Sequence, residues 1–308
     1  MGRGIRLAIS AALAGLYLRG RPGAGPSQRR RWPRVYEAIS THAAIGLGDL
    51  SAVLSEAGLW EEASCLDDPG VLGWALEQVM AGRVLTVADE NYPLAWLDRF
   101  GSAAPCVVWR RGEMPGAVPT AIVGSRQVSQ AGADFAGACA REIMRLGATV
   151  VSGGAEGVDS IARAEALEAG EAARVVEILP HGLMGASDTD FCQLSVCEPW
   201  ARFTSGQAME RNALIYASSV CAVVVEPRHR EGGTWHGAAD ALRRRLCRVL
   251  VLDDESVGAR ALIALGGEAI REASEIEAWM QRPIEKTQAE LFGERGSRII
   301  ELAGRYAA

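Results

Sequence analysis

Lysine is almost absent from this sequence. Of its 32 basic residues, Lys286 alone is a lysine and the others are arginines. Strong contacts to phosphate in the main part of the chain would therefore come from planar guanidinium groups, which can bind two anionic oxygens at once. The formal net charge of −6 excludes a protein that coats nucleic acid through general positive charge. Any site for a polyanion must be a local basic patch.

Several chemical signatures are also missing. The seven cysteines form no CxxC pair, and four histidines offer little material for a metal site or a Ser-His-Asp triad. No GxGxxG fingerprint of NAD-binding proteins follows the first β-branched run, and there is no GxxxxGK[ST] loop of the common ATPases. We therefore predict no cofactor, no metal and no catalytic residue. The cysteines are typical of reduced thiols in a cytoplasmic protein.

The first 31 residues are basic and contain no acidic residue. Their apolar stretch from Leu7 to Leu18 is too short to span a bilayer. We predict a disordered basic extension over 1–31 and no membrane partner. There are three alternatives: a start codon assigned too far upstream, a signal sequence, or a basic arm that helps to bind nucleic acid. At the other end, residues 283–308 are predicted to form a short tail.

Residues 32–81 show helical periodicity, with apolar residues three or four positions apart. Within them, Ile45-Gly46-Leu47-Gly48 resembles the turn of a helix-hairpin-helix (SAM-like) module, in which glycine amides can face a phosphate. A plain glycine-containing turn between two helices is the alternative. Residues 82–118 are rich in turn residues and are predicted to form a connector that packs on the next domain.

From Pro119 onwards, β-branched runs alternate with helical stretches at spacings of a βαβ unit. Residues 119–282 are therefore predicted to form an α/β, Rossmann-like (extended), mostly parallel sheet with helices on both faces, preceded by the small helical domain. The strand–helix alternation that carries this prediction runs from Thr120 to Asp253. Glu268 to Trp279 is predicted to be an acidic helix. The strands are expected at Ala121–Val123, Thr149–Val151, Val175–Leu179, Val220–Val225 and Val249–Leu252.

Glycine-rich segments follow several of these strands. In an open parallel sheet, ligands bind beyond the carboxyl ends of the strands, where loops lead into helix N-termini. Glycine allows close approach to an anion, free helix amides favour negative charge, and an arginine can supply a bidentate partner. The segments are Gly124-Ser125-Arg126, Ser152 to Asp159, Met209 to Asn212, and Arg228 to Thr234. Turn geometry explains each glycine singly, but their convergence predicts an anion-binding surface.

These residues carry a resemblance to the DNA-processing protein A (DprA/Smf) family. The chain is similar to a divergent member, with Gly232-Gly233-Thr234-Trp235 in one loop and Arg163 at a position where the family commonly has histidine. The resemblance rests on Gly124-Ser125-Arg126, Ser152-Gly153-x-Ala155-x-Gly157-Val158-Asp159, Ala166-Leu167, Arg211-Asn212 and, upstream, Asp89-x-x-Tyr92-Pro93.

The resemblance implies a non-enzymatic, cytoplasmic protein that binds single-stranded DNA, protects it and loads the RecA recombinase during DNA uptake, natural transformation (competence) and recombination. It also implies a homodimer. Arg126, Arg163 and Arg211 would grip successive phosphates. The full set of predicted nucleic-acid and phosphate contacts is Gly124, Ser125, Arg126, Ser152, Gly153, Gly154, Gly157, Arg163, Arg211, Asn212, Gly232, Gly233, Thr234 and His236.

Two other functions could use the same phosphate pocket. One is a sensor that binds a small nucleotide signal. The other is a nucleotide phosphoribohydrolase of the lonely-guy type, whose PGGxGTxxE signature Gly232-Gly233-Thr234 resembles in part. His236 and Gly237 stand where that signature should bring paired glutamates, so general acid–base help for glycosidic cleavage has no evident source.

Overall fold

The computed structural model describes residues 34, 38, 47–66, 69–87, 89, 91–170, 172–184 and 189–282. The predicted extension over 1–31, the tail over 283–308 and Ile45-Gly46 of the predicted hairpin lie outside this part of the chain. The described residues form two compact units, which divide in sequence between Arg110 and Arg111. None of the described helices is long and apolar enough to cross a membrane.

The first unit contains helices followed by a two-stranded antiparallel pair. Leu85 of β1 lies opposite Val108 of β2. The predicted connector over 82–118 is therefore built from regular elements, and the division between the units falls inside it. The elements are α1 (Leu47–Glu56), α2 (Trp60–Leu66), α3 (Pro69–Met80), β1 (Val84–Thr86), α4 (Leu94–Phe100), a 3-10 turn (Gly101–Ala103) and β2 (Val107–Arg111).

The second unit alternates strands and helices, as its sequence predicts. It contains β3 (Pro119–Gly124), α5 (Gln130–Arg145), β4 (Thr149–Ser152), α6 (Val158–Ala169), β5 (Val175–Leu179), β6 (Cys192–Ser195), α7 (Ser205–Ser218), β7 (Cys221–Val225), α8 (Gly232–Arg244), β8 (Arg248–Leu252), α9 (Val257–Ala264), β9 (Glu268–Ile270) and α10 (Ile276–Gln281), with 3-10 turns at Ala172–Arg174 and Ala273–Glu275.

The strands of this unit lie in the order β6-β5-β4-β3-β7-β8-β9, and each neighbouring pair is parallel. The chain builds outwards from β3 on one side through β6, then returns to the other side of β3 with β7. The strand order thus reverses at the β3–β7 pair, where Gly124 lies opposite Val225. The predicted Rossmann-like fold is confirmed, and this switch point is where such sheets bind ligands.

Two local predictions need correction. The acidic helix predicted over Glu268 to Trp279 is wrong: Glu268–Ile270 is the edge strand β9, and a helix begins only at Ile276. Gly266 and Gly267 follow α9, and the next residues pair with β8 in the register Val251↔Ala269. In addition, the pattern missed β6, because Gln193 and Ser195 interrupt its apolar character although all four of its residues are buried.

The core of the second unit lies between the sheet and its helices. β5 and β7 are buried along their whole length, as expected for parallel strands covered on both faces. On α5, Ala136, Cys139, Ala140 and Ile143 are fully buried on one side. This packing holds the carboxyl ends of β3, β4 and β7 in fixed positions relative to one another.

Candidate nucleic-acid interface

The loop after β3 is tied to its two neighbours. The Ser125 amide donates to the carbonyl of Val225 at 3.2 Å, and the Thr234 hydroxyl donates to the carbonyl of Gly124 at 2.7 Å. The end of β3, the end of β7 and the first turn of α8 therefore meet at one place. Three segments that the sequence nominated separately are brought together here.

Gly157 brings the glycine-rich loop after β4 to the same place. Its φ is +78°, and a Cβ atom built on it would lie 2.4 Å from the Ser125 carbonyl oxygen and 2.6 Å from that of Arg126. The next amide, that of Val158, donates to the Ser125 carbonyl at 3.2 Å. Both the backbone conformation and the contact distance therefore require glycine at this position.

Two amides of the glycine-rich loop face inwards. The Oδ2 atom of Asp159 accepts from the Gly153 amide at 3.0 Å and from the Ala155 amide at 3.4 Å. Burial raises the pKa of Asp159 from 3.8 to about 6, and the nearby Arg211 guanidinium opposes this shift. A carboxylate of the chain itself thus occupies the position that an external anion would take at these amides.

Arg211 lies in the middle of α7 and points into the protein. It is 5% exposed, and its Nη1 atom is 4.0 Å from the Oδ2 atom of Asp159. Burial lowers the pKa of its guanidinium, while Asp159 opposes this shift. Within the described part of the chain, Arg211 Nε and the buried Ser152 hydroxyl find no hydrogen-bond partner. The segment Met209–Asn212, nominated with the strand-end loops, is helical.

Arg163 neutralises a second buried carboxylate. Its Nη1 atom lies 2.6 Å from the Oε1 atom of Glu177, a residue of β5 that is 2% exposed. The other carboxylate oxygen of Glu177 accepts from Gln193 Nε2 at 3.1 Å. Gly154 passes over this group, since a Cβ atom there would lie 3.1 Å from the Glu177 carboxyl. About a third of the Arg163 side chain is exposed.

Arg126 is exposed at the end of the β3 loop. Its guanidinium carbon lies 5.9 Å from the centre of the Phe203 ring. No acidic partner of Arg126 is found among the described residues. Of the three arginines that the sequence nominates, the structure therefore presents Arg126 to solvent and commits Arg163 and Arg211 to internal carboxylates.

The amino terminus of α8 is open. Its N-cap residue, Glu231, makes no side-chain capping bond, and both Gly232 and Gly233 are exposed. Asn212 donates from Nδ2 to the Gly233 carbonyl at 3.2 Å, which anchors this turn to α7. His236 is exposed one turn further on, edge-on to Trp235 at 5.4 Å between ring centres. Uncapped amides in the first turn leave a positive helix end exposed.

The amino terminus of α5, unlike that of α8, is capped by side chains of the protein. Ser129 caps it by accepting from the Gly132 amide at 3.1 Å, and the Ser129 amide donates to Glu226 Oε2 at 2.9 Å. A carboxylate from the end of β7 thus sits where an anion would bind. Among the described residues, no group of histidine, cysteine, aspartate and glutamate side chains could hold a metal ion.

A family model described as DNA recombination-mediator protein A matches residues 83–281. The chain belongs to this family. The matched region includes β2, the whole sheet of the second unit and every candidate site residue. The family is one of DNA-processing proteins, as the resemblance of the sequence motifs predicts.

Relatives and solved structures agree with this membership. A DNA processing protein DprA of Mycobacterium tuberculosis strain H37Rv is 28% identical in a 229-residue alignment that covers 63% of this chain; the chain spans 57% of the length of such curated relatives. Streptococcus pneumoniae DprA has the same fold at 18% identity, with a TM-score of 0.61 over 89% of this chain and 97% of that chain.

Helicobacter pylori DNA processing protein A is 25% identical, with a TM-score of 0.52 over 63% of this chain and 94% of that chain. For that protein a single-stranded DNA binding mode is described.

The sequence reasoning missed several residues of this DprA-family site. Asp159, which the sequence nominated only as the end of the glycine-rich segment, is the internal partner of Arg211; Glu177 is that of Arg163, and Phe203 lies beside Arg126. Glu177 was visible as a lone charge in the apolar run Val175–Leu179, a pattern that indicates a buried ion pair. Phe203 carried no such signal, because its proximity to Arg126 depends on the fold.

Proposed function

We propose that this chain binds single-stranded DNA along a surface that we call the phosphate edge, defined by Arg126 and Gly232–Thr234. Ser125 is not part of it, because this residue is buried, its amide donates to Val225 and its hydroxyl donates to the Gln127 carbonyl. The observation that carries the proposal is the exposed Arg126 guanidinium on the β3 loop, to whose first residue, Gly124, the uncapped first turn of α8 is hydrogen-bonded through Thr234, at the switch point between β3 and β7. Membership of a DNA-processing family supports it, as does the single-stranded DNA binding described for the H. pylori neighbour.

The phosphate edge and the residues beneath it have different roles. Arg126 supplies a charge-assisted contact to a phosphate, and the amides of Gly232 and Gly233 add donors at the positive helix end. Arg211, Asp159, Gly153 and Gly157 hold the loops in place from beneath. Arg163 bridges the two roles, since one nitrogen pairs with Glu177 while the side chain remains partly exposed.

The proposal extends to recombination. The bound strand would be protected and then passed to the RecA recombinase by a cytoplasmic homodimer without catalytic activity, during DNA uptake, natural transformation and recombination. The family description as a recombination mediator supports this role. Because the chain spans 57% of the length of its curated relatives, the transfer step needs its own assay: RecA filament formation on DNA precoated with a single-strand-binding protein, with and without this protein.

The direct test is fluorescence anisotropy with a labelled single-stranded oligonucleotide at several salt concentrations. Arg126→Ala should weaken binding about tenfold, the equivalent of one charge-assisted contact. It should also reduce the slope of log K against log salt by about 0.7. The matched control is Arg243→Ala at the other end of α8, where the side chain is 73% exposed. Equal affinities of Arg126→Ala and the unmodified protein would refute the phosphate edge.

A competition arm separates DNA from a small-nucleotide signal. Unlabelled AMP and a panel of signalling nucleotides are added to the preformed complex, and release of adenine from AMP is measured in parallel. We expect no adenine release, because His236 and Gly237 replace the carboxylates that glycosidic cleavage would need. Displacement of the DNA at millimolar nucleotide would assign the site to a small-nucleotide signal.

A further inference from the structure

The segment between β6 and α7 presents two large aromatic side chains to solvent. Trp200 is 60% exposed and Phe203 is 51% exposed. Single exposed apolar residues are common on protein surfaces, but two aromatic rings within four residues are not explained by the core. Both residues lie in the second unit, and neither belongs to the set that the sequence nominated.

The backbone of this segment is fixed. The Gly182 amide donates to the Ala201 carbonyl at 2.9 Å, and the Met184 amide donates to the Pro199 carbonyl at 2.9 Å. The two loop segments approach each other so closely that a Cβ atom on Gly182 would lie 2.1 Å from the carbonyl oxygen of Pro199. Thr204 then caps α7 by accepting from the Gln207 amide at 3.2 Å. The rings are therefore held outwards by an anchored backbone.

The aromatic rings alternate with positive charge. Arg202 is exposed between them, and Arg126 of the phosphate edge lies over the Phe203 ring at 5.9 Å. Flat apolar surfaces beside guanidinium groups match the two parts of a single strand, in which unpaired bases are joined by phosphates. A purely apolar protein partner would gain nothing from the two arginines.

We propose that Phe203 and Trp200 form a stacking platform for unpaired nucleobases of the strand whose phosphate binds Arg126. This rests on the proposed function and adds the chemical group that the site selects. Bases of a duplex already stack on their neighbours and are not available to the platform. The platform would therefore favour single strands over duplexes without reading sequence, because every base has an aromatic face.

The test compares three ligands with equal label: a thymidine dodecamer, an abasic dodecamer with the same phosphates, and a duplex of the same length. The unmodified protein should prefer the thymidine strand to both others. Phe203→Ala and Trp200→Ala should each weaken thymidine binding between about fivefold and a hundredfold, the range for loss of one stacked base. They should leave abasic binding unchanged. Phe203→Tyr and Trp200→Phe should retain affinity.

A control variant and three contrary outcomes complete the test. Leu265→Ala removes an apolar side chain that is 52% exposed at the end of α9 and should change nothing. Equal losses on thymidine and abasic strands would show that the rings only support Arg126, which overturns the platform. If Phe203→Ala and Trp200→Ala change only the molecular mass measured by light scattering, and not the DNA affinity, the two rings mediate contact between two copies of the chain. That result would also overturn the platform. If the unmodified protein binds no strand, the proposed function itself fails.

Discussion

Arg211 and Asp159 face each other at the buried base of the glycine-rich loop, with 4.0 Å between Nη1 and Oδ2. The same carboxylate oxygen accepts from the Gly153 amide, and the Arg211 guanidinium fills the space that a side chain at Gly153 would need. One ion pair therefore shapes the loop from within. The nominated pair Arg211-Asn212 serves this internal purpose, and under the proposed function the contact to a DNA phosphate falls to the exposed Arg126.

Arg211→Met should destabilise the protein strongly. The substitution leaves the Asp159 carboxylate buried with two backbone amides but without its counter-charge. Removal of one partner of a buried pair costs on the order of 3–5 kcal/mol. Urea unfolding followed by circular dichroism measures the free energy of unfolding. Arg243→Ala should stay within about 0.5 kcal/mol of the unmodified protein, and an equally small effect of Arg211→Met would contradict the internal role.

The raised pKa of Asp159 predicts a pH dependence with a definite sign. The folded protein holds this proton up to about pH 6, whereas an unfolded chain releases it near 3.8. The stability that this group contributes is fully present below the unfolded pKa and is lost as the pH rises through about 6. Other carboxylates add slopes of their own, so the difference between the unmodified protein and Asp159→Asn isolates this one.

The measurement is the unfolding free energy of both proteins from pH 4 to pH 7. Relative to Asp159→Asn, the unmodified protein should lose stability across this window by about 1.4 kcal/mol for each unit of pKa shift. Arg211→Met should raise the Asp159 pKa further, because Arg211 favours the ionised form. A constant difference between pH 4 and pH 7 would mean that Asp159 titrates near its ordinary value.

The sheet was largely predictable because buried parallel strands need long apolar runs, and these runs recur at the spacing of a βαβ unit. The convergence of the loops followed from that topology, since the carboxyl ends of parallel strands share one edge. β6 was not predictable: Gln193 and Ser195 are polar, and their burial comes from neighbours distant in sequence.

The sequence also could not predict whether each arginine side chain points to solvent or into the protein. Arg126 and Arg211 were nominated alike, each as an arginine that contacts a phosphate. Whether a guanidinium points outwards depends on which carboxylate the fold places beneath it. Asp159 is 52 positions before Arg211 in the chain and meets it through packing of α6 and α7 against the sheet, which local patterns do not encode.

Gly157→Ala should cost more than a matched glycine substitution. Gly157 and Gly147 both have positive φ angles, +78° and +72°, so alanine strains the backbone at each. At Gly147 a Cβ atom would meet nothing within 4 Å, whereas at Gly157 it would clash with the carbonyl oxygens of Ser125 and Arg126. Both variants should lose about 1–2 kcal/mol from strain, and Gly157→Ala a further 1–3 kcal/mol from overpacking.

The comparison is made by thermal and urea unfolding of both variants, with DNA affinity measured in parallel. The clash moves the β3 loop that carries Arg126, so Gly157→Ala should weaken binding of single strands, while Gly147→Ala should bind normally. Equal stability of the two variants would show that the loops after β3 and β4 are not in the close contact described.

The two roles of Arg163 can be separated with Glu177. Arg163→Ala alone leaves a buried carboxylate with Gln193 as its remaining partner, so the protein should lose roughly 1–3 kcal/mol of stability. Adding Glu177→Gln removes the charge that needed compensation and should restore most of this loss.

Comparison of the double variant with the Glu177→Gln single variant then isolates any contact of Arg163 with DNA, because neither protein carries the buried carboxylate. Since a third of the Arg163 side chain is exposed, we expect the double variant to bind single strands more weakly, with a salt slope smaller by about 0.7. Identical affinities and slopes would confine Arg163 to the ion pair and leave Arg126 as the arginine that grips the phosphate.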